Sequence, residues 1–209
     1  MIICCHSEIA RQWDEQELSD RLLLLPPELQ QTALRKRRWI DKQLSIAGKL
    51  LLLQVLKKMG GQLSLSDLQY NPHKRPYFDG NIDFNISHSG TRVICCATEH
   101  GRIGIDIEQI KTISLSEYPD YFTKNEWDYI DGHEDEFKGF YNLWTRKEAV
   151  LKAIGSGFHT PLSSVDVVAD CIEYDNISYH IRRLDIASDY PCHIASTMKD
   201  EVKLMRIEL

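Results

Sequence analysis

The sequence contains no hydrophobic run long enough to cross a membrane, since leucine series such as residues 22–25 stop at four residues. A membrane-spanning helix needs about 20 consecutive apolar residues. The apolar start, residues 1–5, is also too short for a secretory signal peptide, because His6 and Glu8 follow at once. These absences predict a cytoplasmic protein that does not bind a membrane.

The six cysteines show no Cys-x-x-Cys spacing and no recognisable disulfide framework. Cys4-Cys5 and Cys95-Cys96 are adjacent pairs, and adjacent residues of a strand point to opposite faces. Cys171 and Cys192 stand alone. The pattern predicts reduced, mostly buried thiols.

Positive charge is not in excess, because 25 Lys and Arg residues against 31 Asp and Glu residues give a formal net charge of −6. An acidic protein of this kind lacks the electrostatic signature of general nucleic-acid binding. One compact basic run, Arg35–Arg38, stands out from this background. It indicates either a local site for an anion or acidic partner, or a solvated helix face, and the sequence favours neither.

Two long helices are predicted. Apolar residues at helical spacing indicate the first, residues 36–58. Strong helix formers indicate the second, residues 136–154, and Gly155 and Gly157 form its stop signal. With 209 residues, 43% of them hydrophobic, the chain is long enough for one large domain or two smaller ones.

A weak internal repeat accompanies these helices. Residues 94–108 and 194–208 each have the pattern of two strands around a polar turn. We therefore predict an α/β (α+β) fold that is a pseudo-dimer of two similar halves, residues 1–105 and 106–209. Each half would be a small, mostly antiparallel sheet packed with one long helix.

Three carboxylates stand in a pattern that can hold a metal ion. Period-two alternation in Ile105-Asp106-Ile107-Glu108 places both acids on one face of a strand, and Trp144, Glu148 and Lys152 share one face of a helix. Carboxylate oxygens without histidine or thiolate partners suit Mg²⁺ or Mn²⁺. The alternatives are an ordinary half-buried strand and a Glu–Lys pair that supports a solvated helix.

The stretch Asn85–Gly90 combines hydroxyls, an imidazole and a glycine, and its sequence is typical of a polar bend between two strands. Such a bend can receive a phosphate. The alternative is a tight turn whose Asn and Ser side chains satisfy its own backbone, with His88 merely exposed.

Three motifs in order, Asn85-Ile-Ser-His-Ser-Gly90, Gly104-Ile-Asp-Ile-Glu108 and Trp144-Thr-Arg-Lys-Glu-Ala-Val-Leu-Lys152, resemble the 4′-phosphopantetheinyl transferase superfamily. The length is similar to that of its Sfp-type members. The resemblance implies that the phosphopantetheine arm of coenzyme A is transferred to a serine of an apo acyl or peptidyl carrier protein, releasing adenosine 3′,5′-bisphosphate. It also implies a monomer with coenzyme A in the cleft between the halves.

The resemblance further implies individual roles. Asp106, Glu108 and Glu148 would hold Mg²⁺, with Mn²⁺ as a possible substitute. Glu148 would also accept the serine proton, and Lys152 would neutralise charge on the pyrophosphate. The residues implied in coenzyme A binding are Arg38, Lys42, Ser45, Arg75, Pro76, Ser87 and His88.

One departure from the family concerns the 3′-phosphate of coenzyme A. Family members often carry a basic residue beside the aspartate that stands here as Asp41, whereas this chain has Ile40 before it and Arg38 and Lys42 flanking it. Which of the two reaches the phosphate stays open. The remainder of Arg35–Arg38 would be free to meet an acidic helix of a carrier protein.

Two other functions fit the same residues. One is a magnesium-dependent nucleotide or pyrophosphate hydrolase, in which water replaces the serine as acceptor. The other is an inactive module that only binds carrier proteins, against which the intact set of Asp106, Glu108, Glu148 and Lys152 argues.

Overall fold

The computed structural model describes residues 1–61, 63–155 and 160–209; the predicted stop signal at Gly157 lies outside them. The α-helices of this part of the chain are α1 Glu15–Leu23, α2 Pro27–Leu34, α3 Trp39–Lys58, α4 Lys124–Asp131 and α5 Glu136–Ile154. Its strands are β1 Ile2–Glu8, β2 Gln69–Tyr70, β3 Pro76–Tyr77, β4 Asp83–Ser89, β5 Arg92–Thr98, β6 Ile103–Ile107, β7 Cys171–Tyr174, β8 Ile177–Arg183, β9 Cys192–Ser196 and β10 Val202–Arg206.

The helix termini follow local sequence chemistry. The side chain of Asp135 accepts hydrogen bonds from the backbone N–H groups of Phe137 and Lys138 and so begins α5. Gly155, at φ 78°, ends it in the left-handed conformation that glycine adopts without strain. Helix α1 was not predicted from the sequence, although Asp14 and Glu17 form a capping box at its start.

Two four-stranded sheets, each covered by one long helix, confirm the predicted fold class. The first sheet has the order β10-β1-β5-β4, and α3 packs on β1 and β5. The second has the order β6-β9-β8-β7, and α5 packs on β6 and β9. All pairings are antiparallel except that of β1 with β10, which is parallel.

The repeated strand pairs do not form the hairpins that their sequences suggest. Strand β5 belongs to the first sheet and β6 to the second, while β9 belongs to the second and β10 to the first. Each pair therefore sends one strand into each sheet. A sequence pattern of alternating residues specifies a strand but not its partner, which is why the hairpin prediction was wrong. The proposed boundary between residues 105 and 106 falls inside β6.

The predicted bend at Asn85–Gly90 is also wrong, because β4 continues to Ser89 and pairs there with Arg92 of β5. Only Gly90 and Thr91 remain for the turn, and Gly90 has φ 57°. Residues 164–168 have the composition of a strand but do not form one: the 3₁₀ turn Leu162–Ser164 precedes Val165, and no strand lies between Val165 and β7.

The adjacent cysteines point to opposite faces, as predicted. Cys5 and Cys95 lie in the core between the first sheet and α3, and Cys4 and Cys96 lie between the two sheets. All six cysteines are free thiols, and only Cys171 among them is exposed. Within the described residues, no helix is both long and apolar enough to cross a bilayer.

Candidate active site

A cavity of about 400 Å³ lies where β4, β6 and α5 meet. It brings together all three acidic residues named from the sequence, together with the predicted cation. Its lining residues are Ile86, Ser87, His88, Asp106, Glu108, Trp144, Glu148 and Lys152. The strand alternation of Asp106 and Glu108 and the helical spacing of Glu148 and Lys152 therefore place these side chains around one space.

Asp106 is the most enclosed of the three acids, at 3% exposed. Its Oδ1 atom accepts hydrogen bonds from Lys152 Nζ at 2.6 Å and from Ser87 Oγ at 2.8 Å. Its Oδ2 atom is buried and has no hydrogen-bond partner among the described residues. A buried carboxylate oxygen without a partner is costly, so this atom is suited to a positively charged ligand.

The carboxyl groups of Glu108 and Glu148 both have pKa values above their usual range. Burial is the main cause for each, and the charge of Asp106 adds to it. A hydrogen bond from Ser89 opposes the rise in the pKa of Glu108, and the charge of Lys152 opposes it for Glu148. A cation placed between the acids would relieve this repulsion.

Lys152 and Ser87 use their hydrogen-bonding capacity within the protein. The ammonium group of Lys152 donates to Asp106 Oδ1, Ser87 Oγ and Ile105 O. Ser87 Oγ donates to Asp106 and accepts from Lys152 Nζ and the Ile107 N–H, which fills the three positions of a hydroxyl. A ligand phosphate at Ser87 would have to replace one of these bonds.

A second cavity, of about 360 Å³, adjoins the first and shares Glu148 and Lys152 with it. Residues 73–76 and the segment at 160–162 form much of its wall. The described residues that line it are His73, Lys74, Arg75, Pro76, Asn85, Glu148, Leu151, Lys152, Gly155, Thr160, Pro161 and Leu162. The α5 face with Glu148 and Lys152 thus borders both spaces.

Arg75 lines this second cavity, yet its guanidinium group is held by protein atoms. It binds both carboxylate oxygens of Asp83, at 2.8 and 2.9 Å, and the backbone oxygens of Lys152 and Ile103. Arg75 therefore ties the loop before β3 to β4, β6 and the end of α5.

One basic residue that precedes α3, Lys36, acts on His88 through its charge. The pKa of His88 is lowered mainly by burial and then by the charge of Lys152, with a smaller contribution from Lys36, while Asp41 opposes the shift. Arg38 is exposed and pairs with Asp41 at 3.0 Å. In the described part of the chain, neither cavity is lined by Arg38, Lys42 or Ser45. Lys36 belongs to the basic run Arg35–Arg38, but the sequence did not distinguish it from Arg38 as the residue that acts on His88.

Two buried contacts support the inner side of α5, and sequence reasoning assigned neither. Lys147 and Glu126 form an ion pair at 2.8 Å with both side chains 0% exposed. Thr145 Oγ1 lies 2.8 Å from Nδ1 of His193, on β9. Helical spacing could have indicated that Lys147 points inward, because it is three residues from Trp144 and four from Leu151, but it could not have identified Glu126.

The chain has relatives among known proteins. Residues 102–200 match the family model of the 4′-phosphopantetheinyl transferase superfamily. The chain is 35% identical over 159 residues to the 4′-phosphopantetheinyl transferase Sfp of Bacillus subtilis, covering 73% of this chain and 70% of Sfp. It is 31% identical over 193 residues to a putative 4′-phosphopantetheinyl transferase of Haemophilus influenzae, covering 88% of this chain and 76% of that protein.

Other matches are shorter. The transferase gsp of Aneurinibacillus migulanus is 34% identical over 143 residues, which cover 66% of this chain but only 59% of gsp. The crystal structure of Thermotoga maritima holo-[acyl-carrier-protein] synthase gives a TM-score of 0.36 at 13% identity, covering 46% of this chain and 61% of that one. On the identity and coverage of its Bacillus and Haemophilus relatives, this chain belongs to the 4′-phosphopantetheinyl transferase superfamily.

Proposed function

We propose that the protein transfers the 4′-phosphopantetheine arm of coenzyme A to a serine of an apo acyl or peptidyl carrier protein, and releases adenosine 3′,5′-bisphosphate. The observation that carries the proposal is the wall shared by the two cavities. Glu148 and Lys152 border both the acid-lined cavity and the cavity beside residues 73–76. A ligand with a pyrophosphate between a nucleotide and a second arm can occupy both spaces at once, with its phosphates at this wall.

The donor atoms of the acid-lined cavity fit a magnesium ion. They are carboxylate oxygens, and Asp106 Oδ2 is buried without a partner in the described residues. The same residues contain no group of three acids, histidines or cysteines already in ligating positions. Mg²⁺ does not need a complete protein cage, because it keeps several waters and binds substrate phosphates beside one or two carboxylates. Asp106, Glu108 and Glu148 would hold the ion, and Mn²⁺ has similar preferences.

Bound there, the ion would supply positive charge to the pyrophosphate. Glu148 would take the proton of the carrier serine, directly or through one water, because burial raises its pKa and makes it a better base than an exposed carboxylate. The serine oxygen then bonds to the phosphorus that bears the pantetheine arm. The bond from that phosphorus to the bridging oxygen breaks, and adenosine 3′,5′-bisphosphate leaves.

Lys152 would act through its charge. Burial opposes that charge, but Asp106, Glu148 and Glu108 together outweigh burial and raise the pKa of Lys152, so the side chain stays protonated near neutral pH. Its three N–H groups hold Asp106, Ser87 and Ile105, which fixes the ammonium beside the developing negative charge. His88 and Lys36 would bind the 3′-phosphate, with help from Arg38 at the N-terminus of α3 and from Lys42 and Ser45 within it.

The nucleotide would lie in the second cavity. Pro76 and Leu162 offer apolar surface to a base, and Lys74 offers positive charge to a phosphate. Arg75 shapes this cavity by holding its wall. We further propose a cytoplasmic monomer. It would have one active site per chain, because Leu204 and Arg206 stand in the second repeat where the first has Asp106 and Glu108.

The test is intact-mass spectrometry of a panel of apo carrier proteins incubated with the protein, coenzyme A and MgCl₂. We expect some carriers to gain one phosphopantetheine. EDTA should abolish the gain. Adenosine 3′,5′-bisphosphate should appear in equal amount and only when a carrier is present, since its release without a carrier would indicate a hydrolase.

The matched variants are Glu148→Gln and Glu173→Gln. Glu148→Gln keeps the shape of the side chain but removes the base and one metal-binding charge, so we expect a loss of activity of about 100-fold or more. Glu173 is exposed on β7, and its replacement should leave the rate unchanged. No transfer to any carrier by a folded protein that binds coenzyme A would refute the proposal.

A further inference from the structure

Strand β6 is an edge strand of the second sheet, so alternate backbone N–H groups along it have no partner strand. Its inward N–H groups point to β9, as the bond from the Glu108 N–H to Pro191 O shows. The outward groups belong to Ile103, Ile105, Ile107 and Gln109. An edge strand with unpaired N–H groups in the interior of a protein needs other acceptors.

Side chains of β4 supply those acceptors, one for each outward N–H group. Asp83 Oδ2 accepts from Ile103 N at 2.8 Å, and Asn85 Oδ1 accepts from Ile105 N at 3.2 Å. Ser87 Oγ accepts from Ile107 N at 3.4 Å, and Ser89 Oγ accepts from Gln109 N at 3.1 Å. Each acceptor is 20 residues before its donor, and the four acceptors share one face of β4. We call this set of four bonds the β4 ladder.

The last two steps of the β4 ladder also hold the acids. The hydroxyl of Ser87 donates to Asp106 Oδ1 at 2.8 Å, and that of Ser89 donates to Glu108 Oε2 at 2.5 Å. A hydroxyl has one proton to donate and two lone pairs that accept, so one oxygen can serve both bonds. The same atom therefore fixes the strand at residue 107 or 109 and the carboxylate one residue earlier.

We propose that the β4 ladder is a positioning device for the acid pair, and that Ser89 is the positioning residue of Glu108. The proposal rests on the function proposed above, in which Asp106 and Glu108 hold the metal ion. Ser89 lies outside the lining of the acid cavity and has no direct place in the reaction. Its hydroxyl leaves Glu108 Oε1 as the oxygen free for the ion, just as Ser87 and Lys152 leave Asp106 Oδ2.

Ser89→Ala removes both bonds, whereas Ser89→Thr keeps a hydroxyl at the same place. Ser178→Ala is the matched control, because Ser178 lies on β8 and its hydroxyl makes no hydrogen bond within the described chain. The first measurement is hydrogen exchange of the Gln109 amide without metal or substrate. Loss of one hydrogen bond should speed this exchange about tenfold in Ser89→Ala, with little change in Ser89→Thr and Ser178→Ala.

The second measurement is the MgCl₂ concentration that gives half-maximal transfer. Loss of a group that orients a ligand typically weakens metal binding by about tenfold or more. We expect that shift in Ser89→Ala, restored in large part by Ser89→Thr, while the KM for coenzyme A stays near the wild-type value. A purely structural role would instead lower the melting temperature without moving the magnesium dependence.

The two measurements separate this proposal from the proposed function. If the wild-type protein transfers nothing, the proposed function fails, and the exchange of Gln109 still decides whether the β4 ladder exists. Wild-type exchange in Ser89→Ala overturns the ladder. Faster exchange with an unchanged magnesium dependence overturns the role of Ser89 in positioning Glu108.

Discussion

Acid should destabilise this protein through one buried histidine, His193. Its side chain is 1% exposed, and its pKa is lowered from 6.5 to about 3, mainly by burial and further by the charges of Arg146 and Arg183. The unfolded chain binds a proton near pH 6.5, and the folded protein does not until about pH 3. The contribution of His193 to the free energy of unfolding is therefore fully present above pH 6.5 and is lost as the pH falls toward 3.

The size of the effect follows from the separation of the two pKa values. Each pKa unit corresponds to about 1.4 kcal/mol, so between pH 7 and pH 5 the wild-type protein should lose about 2 kcal/mol of unfolding free energy through His193. His193→Asn retains a polar group near Thr145 but cannot be protonated. This variant is expected to be less stable at pH 7 and to lose about 2 kcal/mol less than the wild type on acidification.

The assay is urea unfolding at pH 7, 6 and 5, followed by tryptophan fluorescence. His100→Asn is the control, because His100 is exposed on the turn after β5. Contributions from other titrating groups, such as His6 and His88, are present in all three proteins and cancel in the comparison. If wild type and His193→Asn lose the same stability between pH 7 and pH 5, the assignment of acid sensitivity to His193 is refuted.

Three further substitutions test the packing around α5. Lys147→Met leaves Glu126 buried without its ionic partner and should cost about 3–5 kcal/mol of unfolding free energy. The double variant Lys147→Met, Glu126→Gln should cost less. A larger loss in the double variant would show that the two side chains do not stabilise each other. Gly104→Ala places a methyl group against the backbone of Ala149 and Ala153, so we expect insoluble protein or a loss of more than about 3 kcal/mol of unfolding free energy. The control Gly61→Ala should be tolerated, because its methyl group would meet only ordinary contacts. Arg75 binds Lys152 O through Nη1 and binds Asp83 and Ile103 O through Nη2. Arg75→Lys has a single nitrogen that cannot reach all of these partners, so it should cost about 2 kcal/mol of unfolding free energy. A melting temperature equal to that of wild type would show that Arg75 does not hold the cavity wall.

The sequence was sufficient to predict the structural elements that depend on residues close together in the chain. Helix α5 was predicted with its observed bounds, 136–154, because its strong helix formers and its final glycine are both local signals. The two strands predicted around a polar turn in residues 94–108 correspond to β5 and β6. The meeting of Asp106 and Glu108 with Glu148 at one cavity was inferred from the family resemblance, since spacing alone places residues only on the faces of separate elements.

Features that depend on residues far apart in the chain could not be predicted from the sequence. Nothing in the residues of β10 indicates that it pairs with β1 instead of β9. Ser87 was expected to contact a phosphate, because a Ser–His–Ser stretch has the composition of a polar turn. Its bonds to Asp106 and Ile107 depend on β4 lying beside β6, which no local pattern specifies. Glu126, the ionic partner of Lys147, could not be predicted for the same reason.

The parallel pairing of β1 with β10 has a consequence for biosynthesis. Residues 2–6 are paired with residues 202–206, so the strand that closes the first sheet is the last of the ten to be made. At a synthesis rate of about 5–20 residues per second, β1 waits on the order of ten seconds or more for this neighbour. Throughout that time one edge of β1 lacks its neighbour and is open to contact with other nascent chains. Escape from aggregation during translation therefore depends on what protects this edge until β10 is made.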